Sequence, residues 1–281
     1  SLINNNYDII IVDNLSNSKI SRLNDLENIT NTKIPFYEID INNKNLLMEI
    51  FRNHKIDAVI HFAGLKSVND SLLNPISYYE NNLSGTINLL NVMNASNVKK
   101  LIFSSSATVY GVPKKLPISE SHELNPINPY GKSKLNIESI LYDVYKSDND
   151  WSIINLRYFN PIGTDDSGLL SDNPKGIPNN LMPYIQKVAA GELEEIPIYG
   201  NDYNTHDGTG VRDYIHIDDL SSGHKSALEF IAYKNNIYEN INLGTGKGTS
   251  VLELINAFEK MHGIKINYSF ETRRNGDAAS C

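Results

Sequence analysis

The run Leu101-Ile102-Phe103-Ser104-Ser105-Ser106 is an apolar segment that ends in three consecutive serines. A short apolar run bounded by polar residues is typical of a strand buried on both faces of a sheet. Helical spacing of apolar residues precedes this run over roughly 75–95, and a second helix is predicted from about residue 130. The run therefore predicts a strand of a parallel sheet whose serines lie at its carboxyl end.

The same alternation continues on both sides of this run. Leu46, Leu47, Ile50 and Phe51 have helical spacing. Strands that alternate with helices form βαβ units and a parallel sheet. We therefore predict an α/β fold, a Rossmann-type doubly wound parallel sheet. Its further strands are predicted at residues 7–12, where the run indicates burial on both faces, and at 34–40, 58–62 and 152–156.

The amino-acid composition of the chain changes after about residue 160. Gly, Pro and Asn cluster in 160–183 and again in 197–212, and an amphipathic helix follows at 251–258. Long loops of this kind are usually functional or disordered. We expect a Rossmann domain over 1–160 and a smaller α/β substrate lobe over 161–281.

Composition excludes several classes of protein. The net charge of −8 comes with scattered basic residues, which argues against a nucleic-acid partner. The single cysteine, Cys281, rules out a disulfide within the chain. The sequence shows neither a signal peptide nor an apolar run of membrane-spanning length, so we expect a cytoplasmic protein with no membrane partner. His, Cys and carboxylate residues do not cluster with metal-ligand spacing, so no metal is expected.

Tyr130 and Lys134 are four residues apart, on one face of the helix that follows the serine-ended strand. An ammonium group beside a tyrosine favours the phenolate, which lowers the pKa from its free value of ~10 toward working pH. Ser106 could hydrogen-bond the reacting oxygen. The spacing alone is weak evidence, because Tyr142 and Lys146 repeat it; we interpret that second pair as a helix-surface pair.

Acidic residues follow the first two predicted strands. An acidic residue at a strand end hydrogen-bonds the ribose hydroxyls of a dinucleotide. Asp13 fits this role, and its position favours NAD over NADP. Asp40 suits the adenine edge, and Phe62-Ala63-Gly64 lets the backbone approach a pyrophosphate. The glycine-rich phosphate turn is absent, since the first glycine of the chain is Gly64. We expect a fragment that lacks the first strand, the phosphate loop and its helix, and also the C-terminal end.

Taken together, these motifs resemble the extended short-chain dehydrogenase/reductase family, and within it the enzymes that epimerise sugar nucleotides. The resemblance covers essentially the whole chain. Its pieces in the first half are Val12-Asp-Asn-Leu-Ser-Asn-Ser18, His61-Phe-Ala-Gly-Leu-Lys66, Phe103-Ser-Ser-Ser-Ala-Thr-Val-Tyr-Gly111, Tyr130-Gly-Lys-Ser-Lys134 and Leu156-Arg-Tyr-Phe-Asn-Pro161. Those in the second half are Gly176-Ile-Pro-Asn-Asn-Leu-Met-Pro-Tyr184, Asp207-Gly-Thr-Gly-Val-Arg-Asp-Tyr-Ile-His216 and Arg273-Arg-Asn-Gly-Asp277.

The resemblance implies NAD-mediated interconversion of UDP-glucose and UDP-galactose at sugar C4, by a homodimer paired through its long helices. It implies Tyr130, Lys134 and Ser106 as catalytic residues. The implied NAD contacts are Asp13, Asn14, Asn17, Ser18, Asp40, Ile41, Phe62, Ala63, Gly64, Lys66, Asn81, Tyr130, Lys134 and Phe159. The implied UDP-sugar contacts are Ser106, Tyr130, Asn160, Asn180, Leu181, Tyr199, Arg212, Arg274, Asp277 and Cys281.

Some residues keep two interpretations at this point. Tyr199 could stack on uracil or serve as an edge aromatic of the core. A small Cys281 beside the sugar would leave space for an N-acetyl group, and with it activity on UDP-GlcNAc and UDP-GalNAc, or it is merely the last residue. His61 and His216 fit structural roles better than ligand roles.

Three alternatives remain: a different enzyme of the same family, a ligand-sensing module and an inactive chain. A nucleotide-sugar dehydratase commonly has an Asp-Glu pair just after the strand serine, where this chain has Ala107-Thr108. A non-catalytic ligand-sensing module tends to lose the Tyr or the Lys, and both are present here. A chain without the phosphate loop could also bind no NAD and be inactive.

Overall fold

The computed structural model describes residues 1–170, 178, 180–274 and 276–281. Its strands follow the predicted order, with bounds that differ by a few residues. They are β1 Ile11–Asp13, β2 Phe36–Glu38, β3 Val59–His61, β4 Lys100–Ser106, β5 Ser152–Tyr158, β6 Asn160–Ile162, β7 Ile196–Tyr199, β8 Val211–His216, β9 Ile237–Leu243, β10 Gly248–Ser250 and β11 Tyr268–Glu271.

Helices occupy the connections between most of these strands. They are α1 Ser21–Thr30, α2 Lys44–Asn53, α3 Val68–Leu73, α4 Pro75–Tyr79, α5 Gly85–Ala95, α6 Pro129–Ser147, α7 Leu181–Ala189, α8 Ile217–Tyr233 and α9 Val251–His262. Side-chain caps explain several starts: Asn43 accepts from the Leu46 amide at 3.2 Å, and Ser250 forms a capping box with Glu253. Such caps satisfy amide groups that have no partner in the first turn.

A four-stranded parallel sheet with the order β3-β4-β5-β9 forms the centre of the first half. Leu101, Phe103 and Ile153 face one side of this sheet, where Met93 and Leu141 pack on them. Alternate residues face the other side and pack on α8, which covers that face. Helices on both faces of a parallel sheet confirm the doubly wound α/β fold.

Strand β1 is less buried than its apolar sequence predicts. Residues 9–13 are half-buried, whereas the run indicated burial on both faces. Within the described chain β1 pairs only with β2, in a separate two-stranded parallel sheet. The prediction of full burial is wrong, because no described strand covers the other edge of β1.

The helix expected over 75–95 is interrupted by one wide turn. Residues Glu80–Ser84 form a π-helical turn between α4 and α5. A single π turn inserts an extra residue and is frequent at functional sites. The consequence here is that Asn82 points into the protein, where it is 2% exposed.

The second half builds small sheets of its own and also returns to the first sheet. Strands β6, β8 and β10 form one small sheet, and β7 pairs with β11. A separate core of Ile185, Ile196, Ile198, Ile255 and Ile266 lies beneath them. Strand β9 instead pairs with β5 in the first sheet, and helix α8 packs on one face of that sheet. We therefore propose lobes of 1–160 with 217–243, and of 161–216 with 244–281, in place of a single division at residue 160.

We expect Ile153→Ala to lower the free energy of unfolding by about 2–5 kcal/mol, because Ile153 is fully buried in the central sheet and truncation leaves a cavity. Met261→Ala is the control, since Met261 is 80% exposed and should change stability by less than about 0.5 kcal/mol. Urea denaturation followed by circular dichroism measures both. Equal midpoints for the two variants would contradict the packing described above.

Candidate active site

Ser106 and Tyr130 are brought together by a close contact between two turns. Ser106 ends β4 and caps the short 3₁₀ helix Ala107–Tyr110, where its Oγ accepts from the Thr108 amide at 3.2 Å. Tyr130 lies in the first turn of α6, which Asn128 caps through the Gly131 amide at 2.8 Å. A Cβ on Gly131 would lie 2.8 Å from the Thr108 carbonyl oxygen. Only glycine allows α6 to start this close to β4.

Lys134 lies one turn further along α6 and is buried. Its Nζ donates to the Ser104 carbonyl oxygen at 2.7 Å and lies 5.9 Å from the centre of the Tyr130 ring. Burial lowers the pKa of Lys134 to about 8, while Glu138 acts in the opposite direction. The ammonium form therefore still predominates at neutral pH.

The pKa of Tyr130 departs from its ordinary value in the direction opposite to the one expected. Burial raises it, and a hydrogen bond with Ser106 lowers it by less. The expected lowering of this pKa is wrong for this arrangement, because burial of the phenol outweighs the groups that favour the phenolate. In the described chain the tyrosine is therefore a protonated phenol at neutral pH.

The second tyrosine–lysine pair of α6 lies at the surface. Tyr142 is 46% exposed, and Lys146 Nζ lies 6.0 Å from its ring centre. Tyr142 packs edge-on against Tyr238, away from the serine-ended strand. The interpretation of this pair as a helix-surface pair is confirmed.

The residues after β1 and β2 meet at one edge of the two-stranded sheet. Asp13 Oδ1 accepts from the Leu15 amide at 2.7 Å and from the Ser18 hydroxyl at 3.1 Å. Asn14 Nδ2 donates to Asp40 Oδ2 at 2.8 Å. Asn17 in the same loop is exposed. The structure therefore brings together the acidic residues expected at the adenosine half of a dinucleotide.

Ile41, which follows Asp40, packs inward. Its Cγ2 would lie 2.6 Å from a Cβ on Gly85, and it borders the main core. Hydrogen bonds from Asn42, chiefly from its backbone amide, hold the pKa of Asp40 below its ordinary value. Asp40 and residues 42–45 line an open hollow. Polar groups rather than Ile41 dominate that surface.

A loop after β3 is held by Asn82, a residue that sequence analysis did not identify. Its Oδ1 accepts from the Leu65 amide at 2.7 Å, and its Nδ2 donates to the Leu65 carbonyl and to Ser133 Oγ, both at 3.1 Å. Asn81 Nδ2 donates to the same oxygen at 3.0 Å. The signal in the sequence was the Asn81-Asn82 pair itself, but the π turn that buries only the second asparagine is not visible there.

Gly64 lies between Asn82 and Lys134. A Cβ added to it would lie 3.2 Å from Asn82 Oδ1 and 3.7 Å from Lys134 Nζ. Ala63 and Lys66 beside it are exposed, and Phe62 is 58% exposed. The ring of Phe62 packs against His224 with 5.0 Å between ring centres. The loop thus brings the Gly64 backbone next to Lys134 and leaves the Phe62 ring largely exposed.

Two arginines converge on the turn near the end of the chain. The Arg274 guanidinium lies 3.7 Å from the centre of the Tyr199 ring, and its buried Nε has no hydrogen-bond partner among the described residues. Arg212 forms an ion pair with Asp277 at 3.7 Å and donates to the Val211 carbonyl. Tyr199 therefore supports an arginine, an arrangement that neither interpretation of it anticipated.

The remaining substrate candidates lie at the edges of the second lobe. Asn160 starts β6 beside Tyr214 of β8, and Phe159 packs on Gly244. Asn180 precedes α7, and Leu181 packs into the core of the second lobe. The motif residues outside the described part of the chain are Gly176, Ile177, Asn179 and Asn275.

Cys281 connects the two halves of the site. Its amide donates to the Val211 carbonyl at 3.1 Å, and its carbonyl accepts from the Asp213 amide at 2.9 Å. The side chain packs on the small cluster that contains Ala107 and Phe159. Burial raises the pKa of its thiol. Cys281 therefore lies beside both Ser106 and the arginine-bearing strand.

The two histidines have structural roles, as expected. His61 is buried and hydrogen-bonds Thr86 Oγ1 at 2.9 Å; burial, aided by Lys134, lowers its pKa to about 3. His216 caps α8 by accepting from the Asp218 amide at 3.2 Å. Within the described residues, neither a three-residue cluster suited to a metal nor a helix able to cross a membrane was found.

Comparison with known proteins shows the family to which the chain belongs. The sequence profile of the NAD dependent epimerase/dehydratase family matches residues 1–244. The chain belongs to this family. A family member, the UDP-glucose 4-epimerase of Bacillus subtilis (strain 168), is 51% identical over 280 residues, which cover 100% of this chain and 82% of the relative.

Solved structures of other epimerases superpose on the chain. UDP-glucose 4-epimerase from Bifidobacterium longum, in complex with NAD+ and UDP, has a TM-score of 0.97 and 53% identity, covering 100% of this chain and 83% of that one. The UDP-Glc/GlcNAc 4-epimerase from Campylobacter jejuni has a TM-score of 0.79 and 37% identity, covering 97% and 82%. The chain therefore has the same fold as these epimerases.

We expect Asn82→Ala to speed hydrogen exchange of the Leu65 amide at least tenfold, because this amide loses its acceptor. Leaving a buried donor unsatisfied costs about 1–3 kcal/mol. Mass-spectrometric hydrogen exchange over the loop at 62–67 measures the effect. Asn91→Ala, an exposed position of α5, is the control and should leave this loop unchanged. Equal protection in both variants would show that Asn82 does not hold the loop.

Proposed function

We propose that the chain is an NAD-dependent epimerase that interconverts UDP-glucose and UDP-galactose at sugar C4. The observation that carries the proposal is the meeting of Ser106, Tyr130 and Lys134 at the end of β4, beside the strand that bears Arg212. The family match and the 51% identity to a UDP-glucose 4-epimerase support the same reaction.

The residues of the first half fit a dinucleotide. Asp13 and Asp40 place carboxylates where ribose hydroxyls and an adenine edge are recognised. Gly64 lets the backbone come close beside Lys134, a position that a side chain would fill. When bound, NAD would supply the acceptor and donor of the hydride at C4.

Tyr130 is the proton acceptor and donor in this proposal. It takes the proton from the sugar 4-hydroxyl and returns it after the 4-keto sugar has turned over. Ser106 hydrogen-bonds the tyrosine and supports the phenolate. Because burial raises the pKa of Tyr130, the hydrogen bond with Ser106 is the contact in the described chain that favours the phenolate.

The nucleotide is held in the second lobe. Arg274 has a buried Nε that lacks a partner among the described residues, and a phosphate oxygen is a suitable acceptor for it. Arg212, which forms an ion pair with Asp277, is the second arginine that we propose for the diphosphate. Tight binding of the diphosphate leaves the hexose weakly held, so that it can present either face to the hydride carrier.

A dehydratase is disfavoured by the residues that follow Ser106. Ala107 is buried in a small apolar cluster, and Thr108 donates its hydroxyl to Ser106 Oγ at 3.0 Å. An Asp-Glu acid–base pair is therefore replaced by a methyl group and by a hydroxyl that is already bonded.

We expect Tyr130→Phe to lower kcat by about 10²–10⁴-fold, because the proton has no acceptor, while the Kd for UDP stays within about twofold. A coupled assay of UDP-galactose conversion and calorimetric titration with UDP measure the two quantities. Tyr142→Phe on the same helix is the matched control and should keep full activity. Wild-type turnover by the Tyr130 variant would refute its role.

A second candidate substrate class is the UDP-N-acetylhexosamines. The observation that favours it is the small Cys281 side chain, which packs against the cluster that contains Ala107, next to Ser106 in the chain. A small residue there leaves space for an N-acetyl group. The structural likeness to a UDP-Glc/GlcNAc 4-epimerase is in keeping with this possibility.

We expect Cys281→Tyr to reduce kcat/KM for UDP-GlcNAc by about 10–200-fold, since pocket size discriminates substrates by that order. Activity on UDP-glucose should change little. Parallel assays of both substrates with wild type and variant decide the point, and Cys281→Ala serves as the small-residue control. A wild type that converts UDP-glucose but not UDP-GlcNAc would rule out this second class.

We also propose that the protein is a homodimer of the cytoplasm. Ile76 and Ile87 are 78% and 43% exposed in the helical segment over 75–95, and exposed apolar side chains of this kind suit a contact with a second copy. The single unpaired cysteine fits a reducing compartment.

A further inference from the structure

An ion pair lies buried beneath the catalytic residues. Glu138 of α6 and Arg157 of β5 are 3% and 2% exposed. Arg157 Nη2 donates to Glu138 Oε2 at 2.6 Å, and its Nε donates to Oε1 at 3.0 Å. This two-pronged geometry joins the catalytic helix to the central sheet.

The pair also holds the end of β4. Ser105, next to Ser106, donates its hydroxyl to Glu138 Oε1 at 2.5 Å. Arg157 Nη1 donates to the Tyr110 hydroxyl at 2.9 Å, at the end of the 3₁₀ helix that starts after Ser106. Hydrogen bonds therefore connect the segments before and after Ser106 to the ion pair of Glu138 and Arg157.

Stability alone is a weak explanation for such a pair. Removing two charges from water is costly, and well-packed apolar residues of similar volume often stabilise a protein equally or better. Burial on its own would lower the pKa of Arg157, yet the hydrogen bonds and charge of Glu138 raise it, so the guanidinium stays charged. A retained, fully bonded pair at this location points to a role in the geometry of the site.

We propose that Glu138 and Arg157 are positioning residues for the epimerisation, which fix Ser106 at the end of β4 relative to Tyr130 and Lys134 of α6. The inference rests on the proposed function. Neither residue touches the reacting atoms. They act through Ser105 and Tyr110 on one side and through the helix turn between Lys134 and Glu138 on the other.

The charge of Glu138 also acts on Lys134, one helical turn away. Glu138 favours the ammonium form that burial opposes. The other titratable groups around these two residues come from each neighbouring element. They are His61 of β3, Tyr130 of α6, Arg157 of β5, Tyr238 of β9, and Tyr110 of the 3₁₀ helix.

Ser105→Ala is the gentler test, because it removes one hydroxyl and leaves the ion pair intact. We expect kcat for UDP-glucose to fall about tenfold with KM within about twofold, since the substrate lobe is untouched. Ser152→Ala is the matched control: Ser152 is equally buried in the same sheet, and its hydroxyl has no partner among the described residues. That control should keep wild-type kcat.

Glu138→Gln tests the charge. We expect a larger loss of kcat than for Ser105→Ala, and a titration of Lys134 that moves to lower pH. Carbon-13 NMR of the lysine ε-methylene groups, assigned with Lys134→Arg, measures the titration without relying on activity. Ser152→Ala should leave it in place.

The outcomes separate this inference from the proposed function. A wild type that does not convert UDP-glucose overturns the proposed function, and the NMR titration then decides the inference. With an active wild type, folded Ser105→Ala that keeps kcat within twofold overturns the positioning role, as does an unmoved Lys134 titration in Glu138→Gln. If Glu138→Gln does not fold, Ser105→Ala alone decides.

Discussion

The approach of Gly131 to the Thr108 carbonyl is the contact on which the site depends. It brings the first turn of α6 against the turn that follows β4, with no room for a Cβ between them. Asn128 fixes the start of the helix at this point by capping the Gly131 amide. A serine at a strand end and a tyrosine at a helix start thereby become neighbours.

Burial then determines the charges at this junction. Lys134 remains largely an ammonium although it is buried, while burial keeps Tyr130 a phenol. The two groups do not form a tight pair, because the ammonium is bonded to the Ser104 carbonyl. Burial therefore favours the neutral phenol of Tyr130, and Lys134 is held by the backbone of β4 rather than by the tyrosine.

The second half of the chain supplies both the substrate lobe and part of the first sheet. Strand β9 pairs with β5, and α8 covers the face of the sheet opposite α6. Backbone hydrogen bonds join Cys281 to Val211 and Asp213 of β8. The side chain of Cys281 packs against the cluster that contains Ala107. Arg212 and Arg274, which we propose bind the nucleotide, are consequently built on a lobe that contacts the first sheet and the turn after β4.

Local patterns in the sequence determined the strand and helix order, the α/β class, and the candidacy of Ser106, Tyr130 and Lys134, because apolar periodicity and i, i+4 spacing are short-range properties. Tertiary structure decided what those patterns could not express. The half-burial of β1 depends on which strands lie beside it. The inward turn of Asn82 depends on a π turn, and the support of Arg274 by Tyr199 joins residues far apart in the chain. The pKa of Tyr130 rises because burial, a property of the whole fold, outweighs the hydrogen bond with Ser106.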